Sequence, residues 1–390
     1  MVNAKTTNGR LRVARSLCAL SLVAGIALLL ASCQPKEPRA IAIGFIGPLS
    51  GNAEDLGSGP AKAMELAVKE YNASRQEHQP RVSLHVRDDK WDGSNALPLY
   101  RDLRDAHGIE LLFMSHTDGT IALQDDVQRD KVVLVNSLNN DALLASMNEY
   151  TFTVGKKTEE AAQVVAGRAI ELGRKTVRGF HVTNKFMSIF ADTFTDQAAK
   201  YGLDVEVVPV DIGKTDYREE LARFQDQSCD ALVFFGYKNL GFAMKQAKEM
   251  GLEVPFLGST TMLGDGFYEN SEGALEGTEF SYFTENDGNY VLARNFLERY
   301  ERAYGHEPFS VWPAMQAYDA MNIALGILKN ASQRPEKTEF SRWLRNELHK
   351  VRFYQGVCGN LAILDDGTSR GIYFSLYEVR GHGKVDKVKR

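Results

Sequence analysis

Ala40-Ile41-Ala42-Ile43-Gly44-Phe45-Ile46-Gly47-Pro48-Leu49-Ser50-Gly51 opens with an apolar run suited to one buried strand, Ala40 to Ile46, and then turns polar and glycine-rich. Past Gly57, the residues Met64, Ala67, Val68 and Tyr71 fall at i, i+3, i+4 and i+7, which draws one apolar stripe along a helix. Strand, glycine loop and helix together form the repeating unit of a parallel sheet flanked by helices. The unit recurs outward from there. Val82, Leu84 and Val86 alternate as a strand does, and the amphipathic run from Ser94 stops at Ala106-His107-Gly108-Ile109, with glycine as the helix end. Lys200-Tyr201-Gly202-Leu203 and Glu249-Met250-Gly251-Leu252 repeat that punctuation. Further strands are expected at Ile109 to Met114, Val132 to Asn136, Val177 to Val182, Val205 to Val210, Ala231 to Gly236 and Pro255 to Gly258. The C-terminal third differs: helical patterns at Asn289 to Tyr304, Val311 to Lys329 and Thr338 to Lys350 precede β-like segments at Ala362 to Leu364 and Ile372 to Val379. A chain of 390 residues exceeds what one core supports, and a coarse symmetry divides the βα units near Val154, so two lobes are expected.

The N-terminus reads as an export signal. Lys5, Arg10, Arg12 and Arg15 precede an apolar stretch, Ser16 to Leu30, that is short for a membrane span and suited to a secretory h-region. Leu30-Ala31-Ser32-Cys33 follows at once and resembles the bacterial lipobox, in which the cysteine, here Cys33, becomes the lipid-bearing first residue. An ordinary signal peptide that happens to contain a cysteine is the plainer alternative. Gln34 to Arg39, with Pro35 and Pro38, reads as a short extended tether. Loss of residues 1–32 takes four basic and no acidic residues from 46 Lys/Arg and 51 Asp/Glu, leaving an excess of nine acids. Nucleic acid is therefore not an expected partner. Cys18 leaves with the signal and Cys33 would carry lipid, so only Cys229 and Cys358 remain, to pair or to stay free.

The glycine-rich opening, the alanine-rich helix ending in Tyr71-Asn72, Asp88-Asp89, Ala317-Tyr318-Asp319-Ala320, Phe353-Tyr354-Gln355-Gly356 and Asp365-Asp366-Gly367, in that order and spacing, resemble the branched-chain amino-acid-binding proteins. These are type I periplasmic binding proteins. The resemblance implies an α/β protein of two similar Rossmann-like lobes, joined by three crossovers near Val154, Phe283 and Val351, that close on a ligand in the cleft between them. Lobe one would hold residues 40–153 and 284–350, and lobe two residues 154–283 and 351–390.

Ligands of doubly wound sheets bind beyond the carboxyl ends of strands, where loops meet helix N-termini. The loops at those ends are polar: Ser115-His116-Thr117-Asp118-Gly119-Thr120, Ser137-Leu138-Asn139-Asn140, then Asn184-Lys185-Phe186, Tyr237, and Ser259-Thr260-Thr261. By the resemblance Thr117 binds the ligand carboxylate, Leu138 and Asn140 contact the same zwitterionic head, Phe186 and Tyr237 are aromatics of the second lobe, and Leu56 lines a side-chain pocket. Thr260 stands where the resembling proteins carry a glutamate for the ligand's ammonium group. A buried ammonium without a counter-charge is strongly disfavoured, so the ligand is expected to be an amino acid only if Asp118 or Asp265 supplies the charge, and otherwise an amide or short carboxylate. Each position has a structural alternative: core packing for Phe186, a helix N-cap for Thr117, turn residues for Thr260 and Asn140.

Enzyme signatures are missing: no Gly-x-Ser-x-Gly, His-Glu-x-x-His, P-loop or Gly-x-Gly-x-x-Gly at the first helix. Asp88, Asp89, Asp92 and Gly93 lack the alternating ligands and closing glutamate of a calcium loop, and read as a solvated strand end; His116 reads as a loop residue. No cofactor or metal is expected. The expected function is a solute receptor that hands a small polar ligand to the permease of an ABC importer. A sensor read by a membrane kinase or chemoreceptor, or a structural envelope lipoprotein without ligand, stays open.

Overall fold

The computed structural model describes residues 40–51, 53–283, 290–335 and 339–389. The export signal, the tether and Cys33 lie outside the described residues. Chain order begins with β1 (Ile41–Gly47), α1 (Ser58–Ser74), β2 (Val82–Asp88), α2 (Ala96–His107), β3 (Leu111–Met114), α3 (Thr117–Ala122), α4 (Gln124–Asp130), β4 (Val133–Asn136), α5 (Ala142–Ala145) and β5 (Thr151–Thr153). These strands form one parallel sheet in the order β2-β1-β3-β4-β5. β3 (LLFM) and β4 (VLVN) are buried at every position because helices cover both faces, which is why they read as continuous apolar runs. Gly108 takes φ +66°, closing α2 with its N–H on the Arg104 carbonyl, as its place after the apolar period anticipates.

The second lobe runs through α6 (Thr158–Glu171), β6 (Thr176–Val182), α7 (Lys185–Ala199), β7 (Asp204–Val210), α8 (Arg218–Asp226), β8 (Ala231–Phe235), α9 (Leu240–Glu249), β9 (Phe256–Gly258), α10 (Asp265–Ser271) and β10 (Glu279–Phe283). There follow α11 (Val291–Tyr304), α12 (Val311–Leu328), α13 (Phe340–Leu348), β11 (Tyr354–Gly356), β12 (Gly359–Ile363), β13 (Ser369–Arg370), β14 (Phe374–Gly381) and β15 (Lys384–Lys387). The second sheet has the order β15-β14-β10-β9-β8-β6-β7, with β14 and β15 antiparallel. Its inner order, β7-β6-β8-β9-β10, repeats that of the first lobe. Phe180, Phe190, Phe194 and Phe234 are fully buried in it, and the Phe190 and Phe194 rings meet Phe235 at 4.8 and 5.1 Å. Such pairs add about 0.5–1.5 kcal/mol each beyond the burial of their area.

After β10 the chain returns to the first lobe, where α12 packs along α1. Asp319, fully buried on α12, accepts from the Val357 and Cys358 amides at 2.8 Å each. Residues 354–370 therefore lean on first-lobe elements: the Thr153 amide donates to the Gly367 carbonyl at 3.0 Å, and the Asn140 side chain accepts from the Ser369 amide at 2.8 Å. β14 is the first C-terminal strand to join the second sheet. The Cys229–Cys358 disulfide is not formed, and both are buried thiols. The Cys358 amide is tied to α12, whereas that of Cys229 donates to the Phe224 carbonyl at the end of α8.

Candidate functional site

The switch point of the first sheet lies between β1 and β3, so the loops leaving those strands face a crevice. Asp88 at the end of β2 fastens the first of them: its carboxylate accepts from the Leu49 amide at 2.8 Å, the Ser50 hydroxyl at 2.6 Å and the Lys90 amide at 2.9 Å. The solvated strand end read from Asp88 and Asp89 needs correction, because Asp89 is fully buried with its Oδ2 2.6 Å from His116 Nε2. His116 Nδ1 accepts from the Gly119 amide, which leaves the proton on Nε2 to be donated to Asp89. His116, not Thr117, thereby caps α3.

The polar loop positions of lobe one bond one another. Thr117 Oγ1 accepts from Asn139 Nδ2 at 2.8 Å, and Asn136 Oδ1 collects the Leu138 and Asn139 amides at 2.9 and 2.8 Å. Asn140 Oδ1 accepts from the Thr153 hydroxyl and the Ser369 amide, and its Nδ2 donates to the Ser369 carbonyl. These bonds hold the first crossover. The Val154 amide reaches the Asn136 carbonyl, Lys156 N reaches Leu138 O, and Asn140 N returns to Lys156 O, so residues 154–156 zip along the loop after β4. Gly155 is needed for the approach, since a Cβ there would collide with the Leu138 carbonyl.

A cavity of about 620 Å³ opens between the lobes. Leu56, Asp55, Trp312 and Gln316 line it from the first lobe, Tyr237 and Thr260 from the second, and Lys156 and Phe283 from the crossovers. Of the residues expected from sequence, Leu56, Tyr237 and Thr260 meet here, whereas Thr117, Leu138, Asn140 and Phe186 are not on its wall. Phe186 lies one layer behind: Lys156 Nζ sits 4.6 Å from its ring centroid. Tyr237 Oη accepts from Asn184 Nδ2 at 3.1 Å, while Asn184 Oδ1 caps α7 through the Met187 amide. Trp91, at φ +64°, packs 4.8 Å from His116 and meets Tyr237 edge-on at 5.9 Å, so it joins the two lobes.

Sequence reasoning missed Lys156, Asp55, Gln316 and Trp312. Burial pushes the Lys156 ammonium down to about 8, against the opposing field of Asp141. Asp55 lines the cavity together with the exposed Glu54, Glu269 and Glu307; burial raises the Asp55 pKa, and its Oδ2 accepts from the Ser310 hydroxyl at 2.6 Å. Asp118 is off the cavity wall, and the side chain of Asp265 lies outside the described residues. Two buried polar atoms on the wall, Thr260 Oγ1 and Gln316 Oε1, have no hydrogen-bond partner among the described residues. Unpaired buried groups of this kind are rare unless something else satisfies them.

The solved structures that share this fold include a leucine-binding protein LivK from Thermotoga maritima, 20% identical, with TM-score 0.79 over 90% of this chain and 98% of that one. A branched-chain amino acid transporter substrate-binding protein, LivJ from Streptococcus pneumoniae in complex with isoleucine, is 20% identical, with TM-score 0.76 over 90% and 100% of the two chains. A solute-binding protein of an ABC transporter from R. palustris in complex with benzoate is 16% identical, with TM-score 0.76 over 90% and 95%. At these identities the likeness is one of fold. No curated protein sequence matches. The family model described as periplasmic binding protein matches residues 40–382, and the chain belongs to that family.

Proposed function

We propose that the protein is an extracytoplasmic solute receptor, held to the membrane by lipid on Cys33, that captures a small polar ligand by closing its two lobes and presents it to the permease of an ABC importer. The ligand belongs to the amino acids, amides or short carboxylates; relatives by fold hold isoleucine and benzoate. The protein acts without catalysis. Lobe one comprises residues 40–153 and 284–350, and lobe two 154–283 and 351–390, with the 354–370 segment leaning across onto lobe one.

The observation that carries the reading is the cleft cavity of about 620 Å³, within the range of small-molecule sites, walled by both lobes and retaining unpartnered polar atoms at Thr260 and Gln316. A ligand that touches both walls stabilises the closed form through contacts the open form lacks. Thr117, Leu138, Asn140 and Phe186 act behind the wall, holding the crossover and its lysine in place; Leu56, Tyr237 and Thr260 touch the ligand. A thermal-shift screen against amino acids, amides, urea and small carboxylates tests this. A ligand at a hundred times its Kd adds about 2.7 kcal/mol to native stability, so at least one compound raises Tm measurably. No shift across the panel sinks the receptor reading.

A further inference from the structure

We infer that the cleft is built for an organic carboxylate with an apolar, ring-sized body, its carboxylate paired with the Lys156 ammonium; this rests on the cavity being the ligand site. Lys156 is 5% exposed, lines the cavity from the first crossover, and has no carboxylate within ion-pair distance and no side-chain hydrogen bond among the described residues. A lone buried ammonium is disfavoured until a counter-ion arrives, and the Phe186 ring beneath it relieves only part of that cost. Asp141, whose field reaches Lys156, makes no ion pair with it among the described residues, and its Oδ1 accepts from the Thr158 amide. With no protein carboxylate at ion-pair distance from Lys156 among the described residues, a ligand carboxylate is the anion that completes the site.

The rest of the wall selects the body of that ligand. Phe283 and Trp312 stack at 3.8 Å and 12° and form a flat slab, with Tyr237 and Leu56 completing the apolar surface. The polar atoms left over, Thr260 Oγ1 and Gln316 Oε1, are neutral acceptors that a ligand hydroxyl or a water would satisfy. Of the acids on the lining, Asp55 accepts from Ser310, and Glu54, Glu269 and Glu307 are exposed to solvent.

Isothermal titration of the intact chain in detergent, with benzoate, benzamide and leucine against wild type, Lys156→Met and Lys156→Gln, tests the pairing. The expected result is that wild type binds benzoate at least tenfold more tightly than benzamide and that both variants lose the preference. Benzamide matching benzoate on wild type overturns the pairing even where a variant does not fold, and so does a preference retained by a folded variant; in both cases the cleft stands as a ligand site. Leucine bound with benzoate unbound overturns the carboxylate class and leaves the receptor reading intact. Failure of all three to bind overturns the inference, and with a silent thermal-shift panel it takes the receptor reading too.

Discussion

Replacing Asp319 by alanine should destabilise the protein at pH 4 and hardly at all at pH 7. The carboxylate is fully buried and accepts from the amides of the buried residues Val357 and Cys358, so truncation leaves two buried donors without acceptors. At about 1–3 kcal/mol each, the loss is roughly 2–6 kcal/mol. Against it stands the charge. Burial raises the Asp319 pKa from 3.8 to about 7, so between those values the native state holds a proton that the unfolded chain releases. A folded value above the unfolded one contributes stability that is complete below pH 3.8 and gone once the pH passes 7. At about 1.4 kcal/mol per pKa unit, wild type forfeits roughly 4 kcal/mol over that span, and the alanine variant forfeits none of it. The difference between the two proteins should shrink by that amount from pH 4 to pH 7, approaching zero. Urea unfolding of both proteins at the two pH values, with the m-value checked for constancy, measures it. A difference equal at both pH values, or larger at pH 7, would refute the argument.

Trp91→Ala should favour the open form about 2- to 12-fold by removing an inter-lobe aromatic pair of about 0.5–1.5 kcal/mol, read as a lower closed population by single-molecule energy transfer between the lobes. Gly155→Ala should cost about 1–3 kcal/mol by forcing the crossover off the Leu138 carbonyl, and should weaken ligand binding through displacement of Lys156; an unchanged urea midpoint counts against the close approach. Cys33→Ser should abolish labelling with palmitate and release the protein from membranes, and retention after a carbonate wash would place the anchor elsewhere.

The parts of the fold that were legible are those whose cause is local. β3, β4 and β8 bury both faces, so their apolar runs announce them, and Gly108, Gly202 and Gly251 end helices at positive φ, where only glycine sits without strain. β5 and β11 were not read, because three residues such as Thr151-Phe152-Thr153 carry no period; they are strands only because neighbours from elsewhere in the chain pair with them. β15, with Lys384, Asp386 and Lys387, carries no apolar alternation and is held by its ladder to β14. The same division governs the site. Leu56, Tyr237 and Thr260 follow strand ends, a position a sequence can give, and they line the cavity. Thr117 and Asn140 share that kind of position, but their hydrogen-bonding capacity is used by Asn139, Thr153 and Ser369, partners as many as 229 residues away. Lys156 is the reverse case. Followed by Lys157, it looks like an ordinary solvated charge, and only the ladder from Asn136 to Asn140 turns its side chain over Phe186 and into the cleft. A buried charge in a ligand cavity is thus a product of tertiary pairing, and its meaning depends on what it lacks: Lys156 makes no ion pair among the described residues, which is the ground for assigning it to a ligand carboxylate.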